Sequence, residues 1–213
     1  HVPSDTLTLA TYTRTDRLVT TTASGSGPLS IDLPATGTLH VIATENGEAV
    51  PARVQVLGTV PASPAGFGEP VPVDGRIHVE YPETGDISLP VQPGTYEVFV
   101  SRGFEYGVER QTVTVAAGQT LQVDAPLDRV VDTTGILCGD FHVHTWRSND
   151  SGDNALDKVR QAVADGVEMP VRSDHEWIGD FKQEITHLGV EKWAYGIGSI
   201  ELTSFEVWGH MGV

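Results

Sequence analysis

The chain is short of the residues that would hold it to a polyanion or staple it covalently. Of its 213 residues, 13 are Lys or Arg against 29 Asp or Glu, a formal net charge of -16. Phosphate backbones and anionic membrane surfaces repel such a chain, so nucleic acid is excluded as an expected partner. The single cysteine, Cys138, has no intrachain partner and leaves the redox compartment undecided. No apolar run approaches the roughly 20 residues of a membrane-spanning helix. There is no initiator Met or signal-peptide core at His1, and the chain stops at Val213 in an apolar run without a cap. A piece of a longer polypeptide is therefore expected, cut at both ends.

What is present divides into two parts. Residues 1–34 read as a strand remnant or extension, with Leu7 and Leu9 alternating with Thr and a Gly/Ser turn from Ala23 to Pro28. Residues 35–129 carry runs such as TLHVIAT, ARVQVLG, TYEVFVS and QTLQVDAP, which alternate apolar and polar between Gly, Pro, Asn and Asp. This spacing predicts an antiparallel β-sandwich. Glu45-Asn46-Gly47-Glu48 predicts a type I′ hairpin, and the Pro- and Gly-rich stretch 61–72 a loop or edge insertion. A binding face on the sandwich would use Tyr96, Phe104 or Tyr106.

Over residues 130–213 the period changes. The spacing predicts a helix over 154–164, with Asp153 as N-cap and Gly166 beyond its end, and a second over 181–188 closed by Gly189. Strands are expected before Asp140, where Ile136–Cys138 suggests burial, and at 166–171 and 194–200. Alternating strands and helices imply a parallel sheet or barrel.

Metal-ligand chemistry gathers at the expected strand ends. His142 and His144 are two apart on a strand, so their imidazoles leave one face. Asp150 follows in a loop, Ser173-Asp174-His175 ends the second strand, Glu201 ends the third, and His210 opens the next run. Histidines and carboxylates clustered in this way predict a multinuclear metal site. Zn, Mn and Fe suit such ligands equally. Arg147 and Arg172 lie close by in sequence; each either grips a phosphate or carboxylate substrate or balances local carboxylates.

Two resemblances follow from these residues. LPVQPGTYEVFVSRG and VTVAAGQTLQV resemble strands of the transthyretin-like, carboxypeptidase-regulatory module. D-F-H-V-H-T, S-N-D, S-D-H and I-E, in that order, resemble the PHP (polymerase and histidinol phosphatase) superfamily. The flanking LCGDFHVHT and WGHMGV look closest to its carbaryl-hydrolase-like (CehA/McbA-like) branch. Ser173 and Ser199 depart from that pattern, which has Thr and Gly there.

The resemblance implies a distorted β/α barrel, of which this chain would carry the first part, holding two or three divalent ions. His142, His144 and Glu201 would hold one, Glu201 would bridge to a second on His210, and Asp150 and His175 would serve a third. Asp140 and Asp174 would orient imidazoles. The implied reaction is hydrolysis of a small-molecule phosphoester, carbamate, ester or amide by metal-bound hydroxide. The C-terminal continuation would supply a further ligand, so the fragment alone is expected to be a poor catalyst. An extracytoplasmic bacterial setting is also implied. The alternative from another class is a binding or scaffold protein acting through the sandwich.

Overall fold

The computed structural model describes residues 7–12, 18–23, 35–60, 76–204 and 209–213. The expected turn after Ala23 and the 61–72 insertion lie outside the described residues. β1 (Leu7–Tyr12) and β2 (Leu18–Ala23) pair antiparallel, Leu7 opposite Ala23.

The alternating runs form β3 (Gly37–Glu45), β4 (Glu48–Ala49), β5 (Arg53–Val60), β6 (Arg76–Glu80), β7 (Asp86–Val91), β8 (Gly94–Ser101), β9 (Glu109–Val115) and β10 (Thr120–Pro126). In one sheet β7 and β10 flank β3, with β4 on the end of β3; the other has the order β6-β5-β8-β9. Period-two alternation gives each sheet one apolar face. Leu39, Val41 and Ala43 of β3 meet Val54, Val56, Val98 and Val100 of the facing sheet in one core. This is the expected sandwich with one correction: β10 runs parallel to β3, Thr120 opposite Thr38. Asn46 and Gly47 both have positive φ, 52° and 84°, as a type I′ turn requires.

The second part contains β11 (Gly139–Val143), α1 (Ala155–Ala164), β12 (Met169–Arg172), α2 (Lys182–Leu188), β13 (Ile197–Gly198), β14 (Glu201–Ser204) and β15 (Gly209–Gly212). β11, β12 and β13 form a parallel sheet, and β14 and β15 an antiparallel hairpin. Among the described residues these strands do not close into a barrel. Val159 and Val163 of α1 pack on Phe181 and Ile185 in a second core.

Three expectations are corrected here. The N-cap of α1 is Asn154, whose side chain accepts from the Asp157 N–H at 2.9 Å, while Asp153 pairs with Lys158. β11 is not buried: Phe141 is about two-thirds exposed, as are Ile136 and Leu137, which precede the strand rather than belong to it. The strand expected over 194–200 shortens to Ile197–Gly198, and Glu201 starts a separate hairpin.

The two parts touch closely. Arg102, at the end of β8 and buried, donates through Nη1 to Pro51 O and to Val163 O, each at 2.7 Å. Val163 O is one of the last carbonyls of α1, where a cation is favoured by the helix dipole. The guanidinium also lies over the ring of Trp193, 4.5 Å away, and Trp193 packs against both cores.

Candidate metal centre

His142 leaves β11, and His144 follows that strand by one residue. His175 follows β12, Glu201 opens β14, His210 lies on β15, and Asp150 sits in the loop before α1. The parallel pairing of β11 with β12 and the bridge from His175 to Glu201 bring these segments to one end of the small sheet. β15 brings His210 opposite Thr203.

The side chains converge in three overlapping groups, within each of which the possible ligand atoms lie within 4.8 Å of one another. They are His142, His144 and Glu201; His144, Asp150 and His175; and His175, Glu201 and His210. All six expected metal residues are thus brought together. In the first group, His142 Nε2 and His144 Nε2 are 2.9 Å apart, and Glu201 Oε2 lies 3.1 and 2.8 Å from them. One shared proton cannot satisfy three such contacts, whereas a cation in their midst can. Cis ligands on an ion with bonds of about 2.1 Å lie about 3 Å apart. Glu201 offers its other oxygen, Oε1, to His210 Nδ1 at 2.8 Å. The donor set therefore fits divalent ions.

Asp150 links two of the rings. Its Oδ1 faces His144 Nδ1 at 3.0 Å and its Oδ2 faces His175 Nε2 at 3.1 Å. A neutral imidazole has one ring lone pair. If His144 ligates through Nε2, its Nδ1–H donates to Asp150. That is the orienting role expected of Asp140 and Asp174. Asp140 instead accepts from the backbone N–H of His142 at 3.0 Å.

Asp174 faces away from the cluster. It is fully buried and accepts from Thr145 N–H, the Thr145 hydroxyl, the Ser148 hydroxyl and Arg172 Nε. Burial pushes its carboxyl up, but these four donors outweigh it and hold the pKa below the ordinary value. Arg172 is also buried and is spent on Asp174 at 2.6 Å, so of its two expected roles it has the balancing one. Arg147 is exposed, its guanidinium 4.4 Å from the Trp146 ring and 5.1 Å from that of Trp177.

The cluster's carboxylates stay ionised well into acid. The hydrogen bond with His144 is the main cause that brings Asp150 down to about 2. Burial pushes Glu201 up, and the surrounding imidazoles, led by His175, more than offset it.

Sequence reasoning missed Thr203, whose hydroxyl lies 2.5 Å from His175 Nδ1, and gave no role to Glu176, which follows His175 and whose carboxylate accepts from Thr203 N–H at 2.6 Å. Thr203 was findable, since residues two apart on a strand share a face and Thr203 follows Glu201 by two. Glu176 holds φ at 51°, an unusual conformation for a side-chain-bearing residue that no sequence pattern signals.

No family model and no curated protein matches the chain. Among solved structures it is similar to GBS52, the minor pilin of Streptococcus agalactiae, at 12% identity, covering 46% of each chain with a TM-score of 0.35. It is also similar to a DUF3823 family protein from Parabacteroides merdae, at 15% identity over 45% of this chain and 47% of that one, TM-score 0.31. The major pilin subunit BcpA of Bacillus cereus gives 17% identity, 61% and 40% coverage, and a TM-score of 0.33. The match spans less than half of each of these three chains. Likenesses this distant carry no argument about function; the β-sandwich stands on the strand pairing above.

Proposed function

We propose that this chain carries a binuclear divalent-metal centre of a hydrolase. The observation that supports this most is the convergence of His142, His144, His175, His210, Asp150 and Glu201 from separate segments at one end of a parallel sheet. His142, His144 and one oxygen of Glu201 would hold the first ion; His175, His210 and the other oxygen would hold the second. Three ions at once would demand both ring nitrogens of His144 and His175 as ligands, which neutral imidazoles do not allow. Two is therefore the number assigned, with Zn, Mn or Fe suited to these donors.

Bound divalent ions would lower the pKa of a coordinated water and polarise the oxygen of the bond to be cleaved. The chain's own residues prepare that step. Asp150 orients His144 and His175, Glu201 joins the two halves of the centre, and Asp174 ties the Thr145–Ser148 loop to Arg172 at the end of β12. Asp174 acts by positioning, since it is fully buried. The motif order resembles the PHP superfamily, which makes a phosphoester, carbamate, ester or amide the proposed substrate and a β/α barrel, completed by the C-terminal continuation, the proposed full domain. The same resemblance supports an extracytoplasmic setting for the full protein. No helix among the described residues is long and apolar enough to cross a membrane.

The binding-protein alternative is weakened by its own aromatics. Tyr96 and Tyr106 lie in the sandwich core, and of the three expected only Phe104, 98% exposed, is available to a partner.

The test is elemental analysis of the purified chain beside a His142→Ala/His144→Ala variant. Close to two equivalents of Zn, Mn or Fe, reduced in the variant, is expected. A chain free of metal after incubation with each ion in turn would overturn the reading. Activity of the extended chain on an aryl phosphodiester against an aryl carbamate then separates the substrate classes.

A further inference from the structure

A recess of about 380 Å³ is lined by Trp146, Arg147, Arg172, Trp177, Asp180 and Glu184, among others. It is built on the same two loops as the centre: Trp146 and Arg147 follow His144, and Trp177 follows His175. Its volume is in the range of small-molecule sites. Its charges are unequal in what they have left to offer. Arg172 is held by Asp174 at 2.6 Å and lies 3.8 Å from Glu184, and Asp180 is paired with Lys182 at 3.2 Å. Arg147 has no carboxylate partner among the described residues, although the chain carries 29 acidic side chains. What holds it is the pair of indoles, at 4.4 and 5.1 Å.

Both indoles keep surface open, Trp146 being 54% and Trp177 38% exposed, although the Arg172 guanidinium also lies 4.4 Å over the Trp177 ring. Trp177 is also set in place. Its ring occupies the space that a Cβ on Gly179 would need, 1.9 Å from that position, so the ring lies directly on the glycine backbone. A guanidinium that packs on rings and has no carboxylate partner keeps N–H donors free, in the fork that matches a carboxylate.

We propose that this recess binds a planar aromatic carboxylate: ring on the surface that the indoles leave open, carboxylate on Arg147. As a binding site it does not rest on the hydrolase reading.

The probe is 2-naphthoate, titrated calorimetrically into metal-free protein, with 2-naphthalenemethanol as the neutral ring and acetate as the ringless anion. Naphthoate is expected to bind tighter than either by on the order of tenfold or more. The His142→Ala/His144→Ala variant should bind it as the parent does. Arg147→Ala and Trp146→Ala should each weaken it by at least that factor. Arg147→Lys should recover only part, and Gly179→Ala, which displaces the Trp177 ring, should weaken it too. Arg147 and Trp146 are exposed, so these variants are expected to keep the parental melting temperature. Equal binding of naphthoate and the alcohol, or undiminished binding by Arg147→Ala, would overturn the proposal. So would loss of binding in the histidine variant, which would put the anion on the cluster. None of these results touches the metal count, which tests the hydrolase reading separately.

Discussion

Arg172 and Asp174, two residues apart at the end of β12, close an ion pair at 2.6 Å in a place where neither side chain is more than 6% exposed. The pair is completed by Thr145 and Ser148, so it fastens the loop after His144 to the strand that delivers His175. Removing one partner leaves a buried charge unmatched. Asp174→Ala should cost about 3–5 kcal/mol, measured as a fall in the urea midpoint, and should lower metal affinity through misplacement of both loops. Unchanged stability would show that the loops are held elsewhere.

The same carboxylate predicts the acid limb of stability. Its pKa in the fold lies below the ordinary value, so the unfolded chain takes up the proton first as pH falls. Its contribution is therefore complete above about pH 5 and is lost as pH drops through about 4 and down to the folded value. Urea midpoints at a series of pH values should fall through that window for the parent and less steeply for Asp174→Asn.

Asp150 separates two descriptions of the centre. As the residue that orients His144 and His175, its change to Asn should weaken metal binding about 10–100-fold while leaving the number of ions unchanged at saturation. As a direct ligand of a third ion, it would take one ion with it. Competition with a chromophoric chelator, followed by elemental analysis of the saturated variant, distinguishes the outcomes.

The contact between the two parts is specific enough to break by one substitution. Arg102→Ala removes two hydrogen bonds to carbonyls and the cover over Trp193, and should cost about 2–4 kcal/mol. Gly103→Ala should also destabilise, because φ is +65° and the new Cβ would stand 2.1 Å from Asp165 O. Both should lower a single cooperative melting transition. A split into two transitions would mean that the sandwich and the part carrying the histidine–carboxylate cluster unfold independently.

Asp165 closes the same helix with the wrong sign of charge. Burial pushes its carboxyl up, only partly offset by Arg53, so ionisation opposes folding at neutral pH. A raised folded value means that the folded chain binds the proton more readily, and the penalty fades as pH falls. Asp165→Asn should raise the melting temperature at pH 7, with the gain shrinking toward pH 4.

Much of this was legible in the chain because the signals were local. Period-two alternation marks the sandwich strands, Asn46-Gly47 marks its hairpin, and Gly166 and Gly189 mark helix ends, since each depends on a few neighbouring residues and a single backbone preference. His142 and His144 are readable as one facing pair for the same reason. The exposure of β11 was not readable, because burial belongs to whatever packs across a face, and Ile136 and Phe141 look equally apolar with or without a neighbour. Nor was the division of labour among carboxylates: Asp140, Asp150 and Asp174 are alike in sequence, yet one holds its own backbone, one joins two imidazoles and one is sealed behind the loops. By itself the sequence determined which residue types are available and which strands present them. Only the tertiary structure decided that Glu201 meets His142 across 59 positions, because ligand geometry is set by the pairing of strands distant in sequence.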